Sequence, residues 1–134
     1  MKKVLFLGFI AILMLLPGSA ASAQNTSIFS NLEVHYNFGD QAVFQATIEN
    51  FTGAEEVFLF IEQPGEDTLV RPAAVGPQSG KVETVLDLKQ YPLRPFAQVS
   101  YYFLLKTLGG EAYESERATF QYVDNRFRWD LLED

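Results

Sequence analysis

His35 is the only histidine of this sequence and cysteine is absent, so the residue types that most often bind transition metals are represented once. A zinc site takes several His or Cys ligands, or carboxylates grouped with them. His35 stands instead between Glu33 and Asn37 in an alternating stretch, and it reads as a surface residue. Serine catalysis needs a base and an orienting group near a positioned hydroxyl, and no serine here lies in a G-x-S-x-G elbow. Carboxylates are more plentiful, in Glu55-Glu56, Glu62, Glu66-Asp67, Glu111, Glu114 and Glu116. Glu114 and Glu116, two apart, would share one strand face and supply half of a glycoside-cleaving or calcium-holding site. They lack the Asp/Gly spacing of a calcium loop and read as solvating charges. The sequence therefore predicts no catalytic residue, no metal ligand and no cofactor.

The elements that carry these residues are strands. The stretch 99–123 holds two of them around Leu108-Gly109-Gly110-Glu111, where the glycines permit the positive φ angles of a tight hairpin. Val99, Tyr101, Tyr102, Phe103 and Thr107 precede the turn, and Ala118, Phe120 and Tyr122 alternate with polar partners after it. Earlier, Leu32, Val34, Tyr36 and Phe38 alternate with Glu33, His35 and Asn37, and Ala42, Phe44, Ala46 and Ile48 alternate likewise. The run 56–62 is apolar on both faces. Residues 68–71 read as a short edge strand closed off by Pro72, and 73–80 as loop. Val82, Thr84, Leu86 and Leu88 form a further alternating set, and Pro92 and Pro95 mark 91–96 as a crossing between sheets. No helical period appears in 24–134, so the expected fold is all-β, an antiparallel β-sandwich over 28–123.

Ahead of it, Met1-Lys2-Lys3, an uncharged run at 4–16 and Ala21-Ser22-Ala23 spell an export signal, 1–23, cleaved after Ala23. The run is short of the roughly 20 residues that a spanning helix needs. The expectation is an exported protein, extracellular or of the cell envelope, which touches a membrane only through an uncleaved signal. The 111 residues that remain carry eight basic against 17 acidic side chains, which argues against nucleic acid and anionic lipid as partners. Without cysteine the fold rests on its core, and 12 Phe and 6 Tyr in the full sequence make an aromatic one the expectation.

Leu93, Pro95 and 99–103, followed by Gly109-Gly110, Ser115 and Phe120, resemble fibronectin type III and related immunoglobulin-like modules; the resemblance implies a corner or core role for Tyr101. The tail 120–134, with its F-x-Y-x-D-x-R-F-x-W pattern, resembles the junction in secreted bacterial (Chloroflexi-type) proteins of the peptidase MA-like family. In that family an N-terminal β-sandwich precedes a gluzincin-type zinc metallopeptidase domain. No His-Glu-x-x-His is present, so no zinc ligand or general base carries over. The resemblance implies a noncatalytic accessory or docking domain alone, with 124–134 a linker or docking tail toward an absent peptidase domain.

The sequence leaves a second class open, a free-standing secreted binding or adhesion module for carbohydrate or protein. Candidate partner contacts are Phe127, Trp129 and Leu131 of the tail, and Tyr102 and Leu104, which would project with Phe58 and Phe60 away from the core.

Overall fold

The computed structural model describes residues 28–52 and 55–127; the expected export signal, Trp129 and Leu131 lie outside them. Among the described residues every helix-or-strand element is a strand: β1 (Phe29–Asn37), β2 (Gln41–Ile48), β3 (Glu56–Glu62), β4 (Leu69–Val75), β5 (Lys81–Asp87), β6 (Gln98–Lys106), β7 (Ala112–Glu114) and β8 (Ala118–Gln121). All pairings are antiparallel, in the order β1-β2-β5-β4-β3-β6-β7, with β8 also on β6.

This path doubles back into a β-sandwich. β1, β2 and β5 form one layer and β3, β6, β7 and β8 the other, while β4 belongs to both. Its first part, through Ala73, pairs with β3, and Ala74 and Val75 pair with β5. The period of two then decides what is buried. Ala42, Phe44, Ala46 and Ile48 of β2 and Val82 and Leu86 of β5 face Val57, Leu59 and Ile61 of β3 and Val99, Tyr101, Phe103 and Leu105 of β6.

Across the layers, Phe44 meets Tyr101 edge-on at 5.0 Å and Phe29 stacks on Phe103 at 6.0 Å. Each such ring contributes about 1.5–3 kcal/mol by burial, and each pair about 0.5–1.5 kcal/mol more. Tyr101 is a core tyrosine, 2% exposed; burial first, and the Glu33 carboxylate second, push its phenol up to about 12. Thr84 brings a hydroxyl into the core and donates it to the Pro72 carbonyl at 3.2 Å, which removes the desolvation penalty.

Two expectations are corrected. Residues 68–71 are no edge strand and Pro72 ends nothing: β4 runs to Val75 and lies inside the path, so part of the expected loop 73–80 is strand. Proline lacks an N–H, and it is tolerated here just before the strand changes partner. The hairpin's second strand is broken as well. Ser115 N–H donates to the Phe103 carbonyl and its hydroxyl accepts the Phe103 N–H, both at 2.8 Å, so a side chain replaces one ladder group between β7 and β8. Glu116 falls in that break, away from the β7 position of Glu114, and the shared carboxylate face does not form.

Candidate binding surfaces

Three places carry side chains not consumed by the core. The first is an open groove of about 440 Å³ at the end of the sandwich where β2 passes to β3 and β4 to β5. Phe51, Phe58, Pro72 and Pro77 give it an apolar lining, and Glu55 and Glu56 bring carboxylates to it. The connections there are held tightly. The Glu55 carboxylate accepts the Thr52 hydroxyl at 2.7 Å and its N–H at 3.3 Å. Gly80 takes φ +66 and its carbonyl accepts the Ile48 N–H at 2.7 Å; a Cβ there would lie 2.2 Å from the Ile48 carbonyl oxygen. Only glycine satisfies both the backbone angle and the close approach.

The second place is the outward face of β3 and β6. Phe60 and Tyr102, directly cross-strand, stack at 4.9 Å and 10°. On the Tyr102 ring also lies the Arg117 guanidinium, 4.6 Å from its centroid, paired with Glu62. Burial, then the carboxylates of Glu114 and Glu62, raise the Tyr102 phenol, and Arg117 opposes them. Tyr102 retains 9% exposure and Leu104 is half-buried, so the first of these candidate contacts is largely covered by its own neighbours. The alternation of β3 and β6 placed both side chains outward as the sequence predicts.

The third is the opposite end, where the chain leaves β8. Tyr122 is 2% exposed, stacks on Phe38 at 4.8 Å, and accepts the Gly39 N–H on its hydroxyl at 2.8 Å. The Tyr36 hydroxyl accepts the Val123 N–H at 3.1 Å. Asn125 accepts the Phe38 N–H at 3.2 Å and donates to the Tyr36 carbonyl at 2.8 Å. The boundary expected after Val123 thus falls inside a segment bonded to the β1–β2 turn. Arg126 pairs with Asp124 through two of its nitrogens, holding that carboxyl below its ordinary range, and lies 5.2 Å from the Phe38 ring centroid. Most of the tail motif is therefore occupied within this domain: Phe120 packs on Tyr36, Phe44 and Tyr101, and Tyr122, Asp124 and Arg126 fix the exit. Phe127 is 62% exposed.

One residue at this end escaped the sequence reading. Phe96 has φ +62 and is 68% exposed. Ala97 N–H donates to the Arg94 carbonyl at 3.1 Å, closing a turn with Pro95 in its second position and Phe96 in the third, where glycine is favoured. Phe96 N–H then donates to the Tyr122 carbonyl at 2.7 Å, and Tyr122 N–H to the Ala97 carbonyl at 3.0 Å. Two residues oppose one, a bulge whose first position is ordinarily a left-handed glycine. A side chain there costs about 1–2 kcal/mol. The signal was a Pro-X turn lacking its glycine.

His35 is exposed, with Glu33 3.4 Å away, and among the described residues no group of three or more His, Asp or Glu is arranged to hold a metal ion. What fold and surfaces define is an all-β sandwich with an apolar groove at one end and a hydrogen-bonded exit at the other.

No protein-family model matches this sequence, and no curated protein matches it. Among solved structures the fold is similar to purple acid phosphatase PPD1 from yellow lupin (Lupinus luteus) seeds, at 12% identity and TM-score 0.56. That match covers 71% of this chain and only 19% of the phosphatase. It is similar also to a protein described as a myokine, at 12% identity and TM-score 0.54, over 72% of this chain and 97% of that one. The Br derivative of BhCBM56 matches at 18% identity and TM-score 0.50, over 72% and 95%. At these identities the likeness is one of fold, and the peptidase resemblance rests on the tail motif alone.

Proposed function

We propose that this domain is a noncatalytic binding module of the immunoglobulin/fibronectin III type, carried on an exported protein, and that its end groove takes a neutral carbohydrate. The strand order, β1-β2-β5 facing β4-β3-β6-β7 with β8 on β6, supports the type. The observation that carries the ligand is the groove itself. Its size is that of small-molecule sites, and its apolar lining with few polar groups is the usual composition of one. Phe51 and Phe58 offer apolar surface to the C–H faces of a sugar ring, and the Glu55 and Glu56 carboxylates accept hydrogen bonds from hydroxyls. A net charge of −7 works against anionic ligands, which is why the sugar is taken as neutral. The accessory role implied by the tail motif needs no separate surface, since that motif's residues are largely used within the domain.

Isothermal titration with neutral glucan oligosaccharides tests the reading. Binding is expected, with Phe58→Ala weakening it about tenfold, or ~1.4 kcal/mol. Glu56→Gln should weaken it less and leave the fold unchanged by circular dichroism. Absence of binding to any neutral glycan sinks the carbohydrate reading, and binding indifferent to Phe58→Ala moves the site away from the groove.

A further inference from the structure

We propose that the end of the sandwich where the chain leaves β8 is a docking surface for the segment that follows, 128–134, and that Phe96 is the residue that receives it. Phe96 violates two local preferences at once. It holds a left-handed backbone in a turn-and-bulge position suited to glycine, and it presents an aromatic ring to water with 68% of its surface exposed. Glycine would relieve both. Residues kept in sparsely populated conformations cluster where a ligand or a contact needs them, and an exposed ring on a rigid turn is suited to contact.

The occupant is indicated by where the described chain ends. Tyr122, whose carbonyl holds the Phe96 N–H, begins the exit that Asn125 and Arg126 fix against the β1–β2 turn. Phe127, exposed in turn, is the last described residue. The next seven are Arg-Trp-Asp-Leu-Leu-Glu-Asp, in which Trp129, Leu131 and Leu132 supply apolar surface within a few residues of each other. Extended, seven residues reach up to about 23–25 Å, against about 10 Å between packed layers, so the segment is long enough to return across this end to the β6 side. Docking of 128–134 on Phe96 accounts for a strained, exposed aromatic beside an apolar tail.

Trp129 is the only tryptophan, so its fluorescence reports the surroundings of this segment alone. The experiment compares the emission of the full chain with that of its Phe96→Gly and Phe96→Asn variants, both of which accept the left-handed backbone. The expected result is blue-shifted emission in the parent chain and a red shift in both variants, with unchanged circular dichroism. Solvent-like emission in the parent, or emission that ignores Phe96, overturns the proposal. A blue shift that vanishes on dilution also overturns it, because the occupant is then a second copy.

Discussion

The two ends of this sandwich are built on opposite plans. At the groove end, the connections are secured mainly by backbone bonds and one glycine, and the rings of Phe51 and Phe58 line an open space. At the exit end, aromatic rings are closed over one another, and the polar atoms of Tyr36, Tyr122 and Asn125 bind backbone groups of another element. Phe and Tyr differ by one hydroxyl, yet that hydroxyl lets a buried ring also satisfy an N–H that a turn or strand end leaves unpaired. The exit end, where tyrosine hydroxyls reach backbone groups, is stitched; the groove end, lined by Phe51, Phe58, Pro72 and Pro77, stays open.

The sharpest way to break this contrast is to remove a ring from each end. Tyr122→Ala should cost about 3–5 kcal/mol in urea unfolding, because ring, stacking and the Gly39 bond go together. Phe51→Ala, at a half-buried lining position, should cost about 1–2 kcal/mol. Equal losses would abolish the distinction. Next in size is Gly80→Ala, expected to cost about 1–3 kcal/mol through backbone strain and the clash with Ile48. A fully stable Gly80→Ala chain would show that the groove end yields more than its backbone suggests.

Asn125→Ala should cost about 1–2 kcal/mol, since two backbone groups lose a partner but gain partial access to water. An unchanged midpoint would mean that tyrosine hydroxyls alone hold the exit. The pH dependence that Tyr101 gives to stability appears only in alkali. Its folded pKa, about 12, lies above the ordinary 10.0, so its contribution is fully present below pH 10 and is lost as pH rises through 12. Stability should fall over that window, together with late phenolate absorbance. Ordinary titration of all six tyrosines would contradict the buried placement.

How much of this was legible in the sequence depended on the range of the cause. β3 has the expected limits, and β2, β5 and β6 lie within a residue or so of theirs, because side-chain alternation is written locally. The outward placement of Phe60 and Tyr102 was legible for the same reason. The change of partner along β4 was not: nothing near Pro72 announces that Ala74 will meet Glu83. Phe96 hid a turn that glycine would have advertised. The stitches of the exit were invisible too, since Tyr36 and Asn125 stand 89 residues apart and share no pattern.

That last separation has a kinetic consequence. The Tyr36 hydroxyl and carbonyl acquire their partners only when Val123 and Asn125 arrive, so the first strand is secured by nearly the last residues of the domain. Closing so long a loop delays the reward for its entropy, and contacts of this order fold slowly. Until then the edge of β1 away from β2 is uncovered near Tyr36 and can recruit a neighbouring chain. Refolding yield should therefore fall with protein concentration, and the growing chain would spend its synthesis as an unlatched hairpin waiting for its clasp.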